Sequence, residues 1–447
     1  MPFLPNTKDD VKAMLETIGV SAIEDLFRDL PDDARFSGLL DLPDPLSEQE
    51  LLAKAGELAR KNRSLSESIS FLGAGAYHHY IPAAVDELSG RAEFYTAYTP
   101  YQPETSQGVL QAFFEYQTMI AELTAMDVAN ASMYDGGSAL AEAVLLARGA
   151  VRKGSKVLVP ANVHPEYRNV VKTYLRYHLA EYVEVPYGED GRVDFDAMTG
   201  QLPDAFALVV QSPNFFGIVE DGAALTRAAH DAGLLVIGVC DPVTMMVVSP
   251  PGEYGADIAV GDAQACGMPP YFGGPYLGFF AARQKFVRRM PGRLVGQTAD
   301  LEGRRGFVLT LQPREQHIRR EKATSNICTN NALCALRATI YMSLLGKCGM
   351  EKIALHGLQK AHYLAGKLSK LPSYNLRFSA PFCREFVIEC PKPADAVMRE
   401  LSPKGIFAGV PLCWRYPEEK NALLIAVTEM NSRSDCDLLV DTLKGVG

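Results

Sequence analysis

The chain has 447 residues, 47% of them hydrophobic and 22% charged, with a formal net charge of −9. That length allows two or three domains around a large core, and the acidic balance argues against a nucleic-acid or anionic-membrane partner. Nine cysteines without a CxxC pair suit free thiols in a reducing compartment. No apolar run reaches the roughly 18 residues of a membrane span, and the start MPFLPNTKDDVKAML is too acidic for a leader, so a soluble cytoplasmic protein is expected.

Residues 1–64 read as a helical arm. Thr7 precedes an amphipathic stretch with Met14, Leu15, Ile18, Ile23, Leu26 and Phe27, and Ser47-Glu48-Gln49-Glu50 is a capping box ahead of Leu51, Leu52, Ala55, Leu58 and Ala59. Over 65–310 strands and helices alternate, which predicts a mostly parallel sheet covered on both faces. A helix is expected over 105–126, and a longer Ala-rich one from Gly136-Gly137-Ser138 to Gly149. KVLVP (156–160), FALVVQ (206–211), LLVIGVC (234–240), ADIAVGD (256–262) and YLGFFAA (276–282) read as strands, with helices between them. Residues 311–447 read as a small α+β domain. Its helices are expected near 330–346, 350–370, 394–402 and 433–445, and its strands near 375–379, 384–390, 406–410 and 422–428.

Chemistry-bearing residues gather at the expected strand ends. Gly136-Gly137-Ser138 opens a helix, where free N–H groups suit a phosphate, or simply a tight strand-to-helix turn. Asp241 ends the most apolar strand; it could pair with a protonated pyridine nitrogen or only begin an Asp-Pro turn. With Ser212-Pro213-Asn214 and Gly217 these follow the order of the large fold of pyridoxal phosphate (PLP) enzymes. In that order a lysine should follow the aspartate by some two dozen residues, yet the loop GDAQACGMPPYFGGP (261–275) holds Gln264, Ala265 and Cys266 and no lysine. Lys285 sits among Arg283, Arg288 and Arg289 and reads as solvated surface. His78-His79 has no carboxylate at ligand spacing, so no metal site is expected.

Four segments, FLGAGAYHHYIP (71–82), YTPYQPETSQG (98–108), LQAFFEYQTMIAELTAMDVANASMYD (110–135) and LQPREQHIRREKATSNICTN (311–330), closely resemble glycine decarboxylase, the P-protein of the glycine cleavage system. The length resembles the N-terminal half, subunit 1 of the two-subunit form. The resemblance implies a fold-type-I PLP-dependent transferase architecture for the large α/β domain. It also implies an (αβ)2 heterotetramer in which subunit 2 supplies the Schiff-base lysine and the covalently bound PLP. The implied reaction decarboxylates glycine, releases CO2 and passes the aminomethyl group to the lipoyl arm of the H-protein, with the T- and L-proteins in the same system. By position, His79, Tyr98, Tyr101, Gln102 and Glu104 would face the partner's cofactor or substrate channel, as would Lys322, Thr324, Ser325 and Asn326 of the KATSN motif. Gly136, Gly137, Ser138 and Asp241 would be vestiges of a cofactor site, with no Schiff-base lysine near Ala265. Where the family tends to have Asp-Glu-Gly-Thr, this chain has Asp135-Gly136-Gly137-Ser138, so a role tied to that acid is lost, while Ser138 could still cap the helix. Two other functions fit parts of the pattern: an independent PLP-dependent aminotransferase with its lysine elsewhere, and a non-catalytic scaffold. The basic runs 283–289 and 314–321 could face an acidic partner such as the H-protein, or be ordinary solvated helix faces.

Overall fold

A computed structural model describes residues 5–36, 38–95, 99–151, 153–178, 180–271 and 273–446. They fall into two compact units, one up to Arg63 and the other Ser64–Gly447. The first holds helices Lys8–Ile18 and Glu48–Ala59, each opened by the capping box its sequence carries (Thr7 with Asp10, Ser47 with Glu50). Met14, Ile18, Leu51, Leu52 and Leu58 on these helices are exposed.

The second unit is built on a seven-stranded sheet. Its strands are β1 (Val128–Ala129), β2 (Lys156–Pro160), β3 (Glu181–Val185), β4 (Ala205–Gln211), β5 (Leu235–Val239), β6 (Ile258–Asp262) and β7 (Gly278–Ala282). The spatial order is β1-β7-β6-β5-β4-β2-β3. Strands β2 to β6 pair in parallel, and β7 and β1 add antiparallel at one edge. Strand β4 shows why the centre reads as an unbroken apolar run. Leu208 and Val210 enter the core on one face and Ala207 and Val209 the core on the other, so both sides of the pleat need apolar residues.

Two elements escape the sequence pattern. Strand β3, EYVEV, is a half-exposed edge strand without a long apolar run. An antiparallel hairpin pairs Leu294–Ala299 with Arg305–Thr310. A third expectation changes form: the helices expected at 330–346 and 350–370 make one element, Ala332–Leu368, broken at Gly346, whose φ of 58° lies in the left-handed region glycine tolerates. Its residues up to Ala354, including Ala335, Ala338 and Tyr341, pack in the core of the large sheet. Its last turns, with Ala361, Leu364 and Leu368, pack in the small-domain core. Packing therefore changes hands inside this helix rather than at residue 311.

The small domain holds a four-stranded antiparallel sheet of 375–376, 385–389, 422–426 and 410–411, in that spatial order. It is covered by helices Ala394–Leu401 and Arg433–Lys444, the latter capped by Ser432. The two domains meet closely at Gly217. Its φ is 82°, and a Cβ there would overlap the backbone carbonyl of Glu385. Among the described residues no helix is long and apolar enough to cross a membrane, and no cluster of His, Cys, Asp and Glu could hold a metal ion.

Candidate functional site

The residues expected to be vestiges of a cofactor site converge at the carboxyl ends of β5 and β6. Asp241 follows β5, and its Oδ1 accepts the N–H groups of Val243 (3.0 Å) and Thr244 (2.9 Å). Its Oδ2 accepts from Nη2 of Arg384 at 2.8 Å. Arg384 enters at the start of strand 385–389 and is 3% exposed. Its guanidinium lies 3.5 Å from the centre of the Tyr77 ring, and Nη1 stands 2.9 Å from Nε2 of His79. A guanidinium only donates, so Nε2 of His79 accepts, and its Nδ1 carries the proton given to Oε2 of Glu429 at 2.7 Å. Oε1 of Glu429 accepts the N–H of Tyr80. Tyr77 donates its hydroxyl to Oε2 of Glu385 at 2.7 Å, and Oε1 of Glu385 accepts the N–H of Ala74.

The lysine-free loop has its own use. Oε1 of Gln264 accepts the N–H of Tyr77 at 2.8 Å, while Nε2 donates to the carbonyls of Tyr77 and Met268. Gln264 thus splices the loop to the glycine-rich segment, with Ala265 and Cys266 buried beside it. Burial raises the Cys266 thiol well above its ordinary pKa, which makes it a packed apolar group rather than a nucleophile.

Gly136, Gly137 and Ser138 open the helix Gly136–Ala150, as the sequence suggests, but its cap is Asp135. Oδ1 of Asp135 accepts the N–H of Ser138, and the Ser138 hydroxyl answers as the third residue of the box, so Ser138 is not the cap itself. The N–H of Gly136 donates to Oδ2 of Asp262 at 3.3 Å, and burial pushes the Asp262 carboxyl up to about 6. Tyr167, stacked on His164 with ring centres 4.5 Å apart, places its hydroxyl where a Cβ on Gly136 would lie.

These residues do not fit PLP. A carboxylate and a phenol fill the place for its phosphate, Arg384 has taken Asp241, and the cavity that remains measures about 50 Å³. Ligand pockets usually span roughly 300–1,000 Å³. Among the described residues no lysine lines it. Lys285 is spent on Asp257 at 3.0 Å and is mostly exposed.

The remaining expected residues lie elsewhere. Tyr98 falls outside the described residues. Tyr101, Gln102 and Glu104 are exposed, as are Lys322, Thr324 and Asn326, and Ser325 is half-buried. Arg293 joins the two motifs, donating to the Tyr101 hydroxyl (3.3 Å), the Cys328 carbonyl (2.8 Å) and Oδ1 of Asn330 (3.4 Å). The ring of His317 lies 6.1 Å from that of Tyr101. His79 does not share this surface. It was expected to face a partner, but it is buried and both ring nitrogens are used within the chain. Sequence reasoning also missed Arg384, Glu385, Glu429 and Arg293. The one available signal was an adjacent Arg-Glu pair heading the otherwise apolar strand of CREFVIEC, since charges at such a place need partners.

The family model described as Glycine cleavage system P-protein matches residues 1–443. "Probable glycine dehydrogenase (decarboxylating) subunit 1" of Carboxydothermus hydrogenoformans is 54% identical over 447 residues, and that of Moorella thermoacetica 51%, each match covering all of both chains. A crystal structure titled glycine decarboxylase (P-protein) of the glycine cleavage system, in inhibitor-bound form, superposes with a TM-score of 0.89 at 45% identity over all of both chains. A NifS-like protein, 12% identical with a TM-score of 0.64 over 85% of this chain and 99% of its own, shares the fold alone. The architecture is that of fold-type-I PLP-dependent enzymes, as the sequence order of strand ends implied. Taken with the full-length similarity, this shows that the chain belongs to the glycine cleavage system P-protein family.

Proposed function

We propose that this chain is subunit 1 of a cytoplasmic glycine dehydrogenase (decarboxylating), completing a reaction site whose PLP is held by a lysine on subunit 2. The observation that carries the reading is a full-length match to subunits of that name in a chain whose own pocket is shut to the cofactor. Bound to subunit 2, PLP supplies the electron sink for loss of CO2 from glycine, and the aminomethyl group goes to the lipoyl arm of the H-protein. This chain's part is to bind and orient. Tyr101, Gln102, Glu104, Lys322 and Asn326 are exposed polar groups on segments anchored from beneath by Arg293. They form the face offered to subunit 2 in an (αβ)2 assembly that works alongside the T- and L-proteins. An aromatic and charged loop on a rigid support is suited to recognition.

The test mixes the purified chain with subunit 2 and H-protein and follows glycine–bicarbonate exchange. Exchange should require both subunits. Full exchange from subunit 2 alone, unchanged by adding this chain, would refute the reading.

A further inference from the structure

We infer that Arg384 is a built-in occupant of the old cofactor pocket, the chain's own replacement for the pyridinium that Asp241 would otherwise pair with. In PLP enzymes a carboxylate at this strand end holds the protonated ring nitrogen. Asp241 is largely enclosed, its side chain 20% exposed, and a carboxylate so placed is disfavoured without a cation, so a chain that gives up its cofactor gains by supplying another cation. Here the acid remains, and a planar cation from the small domain meets it at 2.8 Å. The guanidinium resembles the ring it replaces in being flat and charged, and it rests on the face of Tyr77. Its two terminal nitrogens fork between Asp241 and His79, while Nε has no protein partner. The position is therefore set by those two contacts.

The consequence is mechanical. One side chain ties the end of β5, the glycine-rich segment and the small-domain sheet together. Through His79 it also orients Glu429, which holds the N–H of Tyr80. Arg384 thus couples the domains where a bound cofactor would otherwise bridge them. The missing lysine is then only one of several changes, and restoring a lysine at Ala265 would leave the pocket filled.

The isolated chain tests this without subunit 2, so a failure here is distinct from a failure of the proposed reaction. Arg384→Met, Asp241→Asn and the double variant are compared by thermal unfolding. Asparagine keeps the oxygen that accepts from Val243 and Thr244. Arg384→Met should lower Tm by about 4 °C, and adding Asp241→Asn should restore part of that loss. Strictly additive effects would overturn the inference. Should Arg384→Met fail to fold, Arg384→Lys replaces it in the same cycle, since lysine can neutralise Asp241 but cannot reproduce the planar fork. In parallel, 4-deoxypyridoxine 5′-phosphate, which has no aldehyde to react with surface lysines, is titrated into the wild-type chain by calorimetry. No saturable binding is expected, and a Kd below about 100 μM would show the pocket open and refute the proposal.

Discussion

Glu142 lies inside the helix Gly136–Ala150 at 3% exposure, among alanines and leucines that cannot solvate a charge. Burial raises its carboxyl from 4.5 to about 7, against a smaller opposing effect of a hydrogen bond from the Ser325 side chain. A carboxyl whose pKa is higher in the folded than in the unfolded chain binds its proton more tightly when folded. Its penalty is absent below about pH 4.5, grows as pH rises, and is complete above about pH 7. At about 1.36 kcal/mol per pH unit across that window, ionising Glu142 costs the folded state on the order of 3 kcal/mol. Glu142→Gln removes the charge and keeps an oxygen for Ser325. It should leave stability near pH 4.5 almost unchanged and raise Tm by about 3 °C at pH 8. Paired melting curves of the two chains from pH 4.5 to 8.5 would show the gap opening between pH 4.5 and 7. A gap independent of pH, or a variant less stable at pH 8, would refute the reasoning.

Gly217→Ala should destabilise the chain by about 3 kcal/mol, because its backbone is left-handed and the added methyl would meet the Glu385 carbonyl; urea unfolding measures the loss. Gln264→Leu removes two hydrogen bonds that splice the 261–275 loop to the glycine-rich segment and one within the loop, to the Met268 carbonyl. It should cost about 2–4 kcal/mol and speed hydrogen exchange at the Tyr77 amide, whereas unchanged protection there would count against the splice. Tyr101→Ala, at an exposed position, should shift the Tm of the isolated chain by less than about 2 °C yet cut exchange with subunit 2 at least tenfold. Full activity in that variant would remove Tyr101 from the proposed face.

Much of the frame is legible in the order of the amino acids. The capping boxes at Thr7 and Ser47, the strands at 156–160 and 258–262, and the final helix after Ser432 follow from side chains that act on their nearest neighbours. The edge strand Glu181–Val185 is invisible there because an edge does not require an unbroken apolar run. Asp135, not Ser138, is the cap because its backbone is the extended one that precedes the first helical residue, three positions before Ser138.

The site divides along the same line. The lysine-free loop, the glycines at 136 and 137, and Asp241 mark an altered cofactor fold by residue type and order alone, and the motifs placed the chain in its family. Sequence could not show that Asp241 is already paired, because Arg384 lies 143 positions away. Nor could it show that His79 points inward to Arg384 and to Glu429, 350 positions on. Local side-chain chemistry is written along the chain, whereas charge pairing inside a protein depends on which distant segments share a space too dry to leave an ion alone. The sequence determined that the 261–275 loop carries no lysine, and the tertiary structure decided which distant side chain pairs with Asp241.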